Sequence, residues 1–268
     1  MALRLEDDEA VGEPWAQRAH SDAADRPGTL DARRLGAWCV LFGSAVYVGV
    51  FTLDGLLRPD YHAASMFISE LALGPWGWVQ TANFILFGLS IFVFAMSVAL
   101  EFGAARAARV GVTLLVIIAI GSVASGLFAV DPVTGSGPIV DPVGVAPHHM
   151  SFHSKFHYIL GSMIFLLAPA SCFCFVVVDR FSKDPAWQAF RLWSVALAVV
   201  MIAGVVVLKI ALLPPPSNPL LPWRGLIQRA SVFPFAVWLF TFGLIMLRQA
   251  RLARGPVTAG GAGTLAGS

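Results

Sequence analysis

Four histidines fall within ten residues, His148, His149, His153 and His157, directly ahead of a long apolar run. Imidazole is the side chain that most readily exchanges a proton near neutral pH, and its lone pair is a common zinc ligand. Pro147 suits the first position of a helix; if the helix starts there, His149, His153 and His157 recur every fourth residue on one face and His148 lies off it. Two histidines at i and i+4 can share an ion, but three cannot, because i to i+8 spans about 12 Å of helical rise. His153 and His157 are the pair nearest the apolar run, and Asp131 or Glu70 can complete the shell. The chemistry this points to is one zinc ion with a bound water whose pKa falls toward about 7. The glutamate of an HExxH motif is missing, since Ser154 follows His153. A hydrogen-bonded polar cluster is the alternative reading of the same residues.

Other polar side chains gather at the edges of apolar runs. Asp54, Asp131, Lys209, Gln228 and Arg229 do so, with Ser69 and Glu70 in a connecting segment. An ionisable group costs roughly 2.5–3.5 kcal/mol at the centre of a membrane helix and less near its ends, so such residues mark candidate sites. Glu70 has the character of a general base. Arg229, with Gln228 beside it, can fork onto a phosphate or carboxylate and so hold a lipid headgroup; snorkelling to the interface is the competing reading. Asn83, near Gln80, is a candidate substrate contact or a hydrogen-bonding link between helices.

The elements that must position these residues follow from composition. The 268 residues are 57% hydrophobic and only 13% charged, with a mean hydropathy of +0.75. A soluble domain runs near one quarter charged, so an ordinary globular enzyme is excluded. Six apolar stretches, about 35–57, 78–100, 110–130, 156–178, 192–213 and 226–247, match the roughly 20 residues needed to cross the hydrocarbon core. The expected fold is all-α, a polytopic six-helix membrane domain over 35–247. A disordered tail is expected over 1–34 and a flexible one over 248–268. Net charge +2 is too mild to imply a nucleic-acid partner, and the lipid bilayer is the partner expected.

Orientation follows from the basic residues. Thirteen of the 18 Lys and Arg flank one side, including Arg33, Arg34, Arg106, Arg109, Arg191 and Arg248; five, Arg58, Lys155, Lys209, Arg224 and Arg229, flank the other. Short cytoplasmic loops carry the excess. Both termini are therefore expected in the cytoplasm, in a plasma (inner) membrane, with all the candidate site residues at the extracytoplasmic face. Trp76, Trp78 and Trp223 suit the outer interface, and Trp187 and Trp193 the inner one.

Several segments together resemble a known family. Ile68-Ser69-Glu70-Leu71-Ala72, then Trp78-Val79-Gln80-Thr81-Ala82-Asn83-Phe84 with Gly88, are similar to the signature of the DUF998 family of six-helix bacterial and archaeal membrane proteins. Gly126-Leu127-Phe128 with Asp131-Pro132, and Gly225-Leu226-Ile227-Gln228-Arg229 with Trp238, extend the likeness over about 36–247. Ala72 stands where the family usually has glycine, and the segment 131–155 is richer in histidine than the pattern. The resemblance implies the fold and little chemistry. A looser likeness is to alkaline-ceramidase and progestin-receptor-type membrane hydrolases, which combine Ser, Asp and paired His around zinc. In that likeness Ser69, Asp131, His153 and His157 take those parts, although the helix count differs.

Two functional classes remain. One is a metal-dependent hydrolase of a lipid-like ester or amide, with Asp131, His153 and His157 on the metal, Ser69 and Glu70 catalytic, and Gln228, Arg229 and Asn83 on the substrate. The other is a non-enzymatic protein, a small-solute transporter or partner subunit, using the same residues as a binding site or seal. Transport calls for polar residues near the midplane, and Asn83, Ser122, Ser125 and Ser162 are few. The topology is tested by reporter fusions at Ser217 and Thr258, which should report opposite compartments with Ser217 outside; both on one side would overturn the orientation.

Overall fold

In hydrocarbon every backbone N–H and C=O must be paired within its own segment, so long apolar stretches become helices. The computed structural model describes residues 27–131, 151–178, 181, 185–213 and 218–252. These form α1 (Pro27–Leu57), a 3-10 turn (Ile68–Ala72), α2 (Gly77–Phe102), α3 (Arg106–Leu127), α4 (Phe152–Val176), α5 (Pro185–Ala211), a second 3-10 turn (Leu221–Trp223) and α6 (Arg224–Leu252). Six helices are long and apolar enough to cross a membrane, and the described residues contain no strand. The shortest has 22 residues, which at 1.5 Å per residue is about 33 Å.

The expected spans fall on these helices one for one; every helix starts earlier than expected, and α3, α4 and α5 end two or three residues sooner. α1 starts at Pro27, inside the stretch expected to be tail; residues 1–26 and 253–268 lie outside the described residues. α4 starts later than Pro147 would allow. Ser151 is its N-cap, its hydroxyl accepting the Ser154 amide at 3.1 Å, so the described helix begins at Phe152 and carries His153 and His157. Residues 132–150, including His148 and His149, lie outside the described residues.

Each helix packs on its neighbours in sequence, and α1 closes against α6, making a ring; α4 with α5 is the loosest adjacent pair. Small residues allow the close approaches. Gly36 and Gly43 of α1 meet Ser97 and Ser90 of α2, and a Cβ at either glycine would overlap the serine Oγ. Those hydroxyls bond back to the Phe94 and Phe87 carbonyls at 2.8 and 2.7 Å. Large apolar side chains such as Leu56, Leu86 and Leu192 stand exposed around the outside, where hydrocarbon suits them and water does not.

Six alternating helices place the start of α1 and the end of α6 at one end of the bundle, the terminal end, and the ends of α1, α3 and α5 at the far end. The terminal end is filled with aromatic rings. Phe181 stacks on Trp187 with centroids 4.4 Å apart, and Phe102, Phe190 and Phe242 pack edge-on or tilted around them. Trp187 is thus buried and not an interfacial anchor, because α5 starts at Pro185 and turns that residue inward; Trp193 is exposed. Arg33 and Glu101 pair at 2.8 Å at this same end, both side chains about nine-tenths buried.

At the far end the segment between α1 and α2 folds over the start of α6. A Cβ at Gly225 would lie 2.4 Å from the carbonyl oxygens of both Ala63 and Met66. Those are backbone atoms held by other bonds and cannot yield as a side chain would. Gly225→Ala should therefore destabilise by about 1–3 kcal/mol. Thermal unfolding in detergent checks this against Gly49→Ala, whose Cβ meets nothing within 4 Å and which should not lower the melting temperature.

Candidate functional site

The site is built outward from the first turns of α6. The amides of Gly225 and Leu226 donate to the Ala64 carbonyl at 2.8 and 3.2 Å. One turn on, Arg229 Nη1 donates to the carbonyls of Ala63 (2.9 Å), Met66 (3.2 Å) and Gly225 (3.0 Å). Its Nη2 donates to the Tyr61 hydroxyl, which itself donates to the Phe67 carbonyl at 3.1 Å. Arg229 is 8% exposed, and the Phe51 and Tyr61 rings cover its guanidinium. The fork expected to face a lipid headgroup is turned onto backbone oxygens of this chain.

Gln228 continues the grip. Its Oε1 accepts the Ile68 amide at 2.8 Å, fixing the turn Ile68–Ala72 and with it Ser69. Glu70 closes the same turn by accepting the Phe67 amide at 3.0 Å through Oε1. Its Oε2 is buried without a hydrogen-bond partner. Burial pushes the Glu70 carboxyl up to about 7, opposed by the Phe67 amide and the Arg224 and Arg229 guanidiniums.

On the opposite wall, His157 is set by the end of α3. Its Nδ1 lies 2.7 Å from the Phe128 carbonyl and 3.1 Å from that of Ser125. Two carbonyl acceptors require the proton on Nδ1, so in the neutral ring Nε2 carries the lone pair, as in histidines that act as bases or metal ligands. Asp131 secures the start of α4: its carboxylate accepts the Ser151 amide at 2.8 Å and the Ser151 hydroxyl. His153 is exposed and rests against the Phe128 and Phe152 rings. Asp131, His153 and His157 therefore serve different neighbours, and among the described residues no group of three His, Cys, Asp or Glu could hold a metal. Asn83 is 2% exposed and links helices, donating to the Tyr47 carbonyl at 3.1 Å and to Gln80 at 3.2 Å. Asp54, another acid at an apolar edge, is paired with Arg58 at 3.0 Å.

Between these walls lie two communicating spaces. One, of about 450 Å³, opens between α4 and α5; the other, of about 90 Å³, lies deeper among the helices. Ser69, His157, Gly161, Phe165, Val205 and Gln228 line both. Ser69, His157 and Gln228 are thus brought together; Asn83, Glu70, Asp131, His153 and Arg229 are not among the lining residues. Gly161, Tyr158 and Ser162 at the cavity were not singled out as site residues by sequence. The signal for Gly161 was a glycine in a helix interior, which costs about 1 kcal/mol relative to alanine.

The profile of the family described as "Protein of unknown function (DUF998)" matches residues 41–245. The chain belongs to the DUF998 family. No curated protein and no solved structure matches it. As a DUF998 protein it is a multi-pass membrane protein, and the match covers all the candidate residues. Of the DUF998-like segments, 68–72 and 225–229 meet at the far end, where the Ile68 amide donates to Gln228.

The raised Glu70 carboxyl has a stability consequence. The folded chain holds that proton more tightly than an unfolded carboxyl of ordinary pKa 4.5, so the contribution is fully present below about pH 4.5 and is lost as pH rises to about 7. Melting temperatures between pH 5 and pH 8 should fall in the wild type and fall less in Glu70→Gln. Equal slopes in the two would remove Glu70 as the cause.

Proposed function

We propose that this protein binds a lipid-like amphiphile that enters sideways from the bilayer between α4 and α5, with its chain along the apolar walls and its polar linkage at Ser69, His157 and Gln228. The observation that carries this reading is the shape of the cavity. About 450 Å³ opens at the loosest helix pair, is lined mostly by apolar side chains, and has Ser69, His157 and Gln228 on its wall. Such a space is of the size that holds small molecules. Gly161 supports the reading: a Cβ there meets nothing within 4 Å, so no packing contact requires glycine, and the space it leaves belongs to the cavity. The cavity lies at the face that the charge pattern assigns to the extracytoplasmic side of the plasma membrane.

Hydrolysis is the second reading, favoured by the tautomer of His157. With the proton held on Nδ1, Nε2 can take a proton from a water or from the Ser69 hydroxyl as that oxygen attacks an ester or amide carbonyl. The proton then passes to the leaving oxygen or nitrogen. In a zinc-assisted form Nε2 of His157 would be the nitrogen free to hold the metal, which would supply a bound water of lowered pKa.

Gly161→Phe should fill the cavity and abolish co-purification of amphiphile, read by native mass spectrometry, without lowering the melting temperature. Unchanged lipid retention in Gly161→Phe would sink the binding reading. For the hydrolytic reading, His157→Ala should retain lipid but lose release of fatty acid from a single-chain ester, and elemental analysis should find about one zinc per chain only if the metal form holds. A wild type that binds and never cleaves is a binding protein.

A further inference from the structure

Two lysines flank the cavity mouth, and they are not equivalent to the helices that carry them. Lys209 sits in the last turn of α5, where a cation favours the negative end of the helix dipole. Lys155 sits in the first turn of α4, where a cation opposes the dipole, so helix stability does not account for it. Both are exposed, both line the cavity, and they stand on the two helices that part to form it. None of the described lining residues is acidic. Asp131 and Glu70 direct their carboxylates to Ser151 and to the Phe67 amide. The mouth is therefore a patch of positive charge above an apolar slot.

Depth along the helices orders the parts. At 1.5 Å per residue, His157 lies about 3 Å below Lys155, and Leu166 about 16 Å below it. An occupant that spans the site has an anionic group at the level of the lysines, a linkage just beneath at Ser69 and His157, and one chain running down past Phe165 and Leu166. One chain is what the space takes, because about 450 Å³ lies toward the lower part of the range for small-ligand pockets.

We propose that Lys155 and Lys209 form a headgroup clamp that selects an anionic, single-chain membrane phospholipid over zwitterionic and neutral ones. The proposal rests on the groove being the amphiphile site put forward above. The two lysines line one cavity from adjacent helices, and an anionic group there is attracted by both charges at an interface where charge pairs are less screened than in bulk water. A choline headgroup brings a cation to the same place, and a glycerol headgroup brings no charge.

The test uses the full chain in detergent, offered equimolar lysophosphatidylglycerol, lysophosphatidylcholine and monoacylglycerol of one chain length, with bound lipid read by native mass spectrometry. Wild type should retain the anionic lipid about tenfold over either competitor. Lys155→Gln with Lys209→Gln should lose that preference while still retaining lipid, and Lys155→Glu should shift it toward the choline lipid. Equal retention of all three lipids by the wild type, or a preference that survives in the double variant, would overturn the clamp and leave the groove reading standing. Binding of none of them by the wild type would overturn both. Displacement of the anionic lipid by millimolar inorganic phosphate would identify a phosphate site in place of a lipid one and overturn the proposal.

Discussion

Arg229 is a cation placed one turn inside a helix whose first amides already form its positive end. In a medium that cannot solvate it, such an arrangement is tolerable only if acceptors are brought to it. Here they come from the chain between α1 and α2. That segment folds so that the carbonyls of Ala63, Ala64 and Met66 turn toward α6, with the Tyr61 hydroxyl completing the set. The course of the segment, the position of the turn at Ile68–Ala72 and the direction of Ser69 all follow from satisfying that guanidinium and those amides. Gln228 adds the last constraint on the turn itself.

The two ends of the bundle solve the problem of filling a six-helix ring in different ways. At the terminal end, stacked and edge-on rings of Phe102, Phe181, Trp187, Phe190 and Phe242 take up the volume, and the Arg33–Glu101 pair closes one seam. At the far end the rings of Tyr47, Phe84, Phe87 and Phe235 share the interior with small and polar side chains. Ser122, Ser125 and Gly161 border the cavity, while bonds at the helix tips tie α3 to α4 and leave the opening between α4 and α5. Asp131 holds Ser151 there, and the Phe128 carbonyl holds His157.

The six helices were legible because length and apolarity alone decide whether a segment crosses a bilayer, and neither depends on distant residues. Site residues were legible in proportion to how local their cause is. His157 and Gln228 stood out as polar groups in apolar runs, and both line the cavity. Arg229 stood out for the same reason, yet its purpose depends on carbonyls more than 160 residues away, and backbone oxygens leave no trace in side-chain type. Asp131 looked like a ligand beside histidines; its partner, Ser151, is an N-cap whose position depended on where α4 begins. Gly161, Lys155 and Tyr158 could not be assigned to a cavity before it was known that α4 and α5 part, since that separation is a property of the pair and of neither sequence.

The aromatic filling of the terminal end bears on traffic. On the proposed binding reading, an amphiphile that enters between α4 and α5 would leave the same way, because the ringed end offers no second path, and exchange would be sequential. The opening would then take its occupant from the leaflet beside it, so the composition of that leaflet, and not a gradient between compartments, would fix occupancy. On that reading no charge would cross the ringed end in a cycle of filling and emptying, and the transmembrane voltage would have no purchase on it.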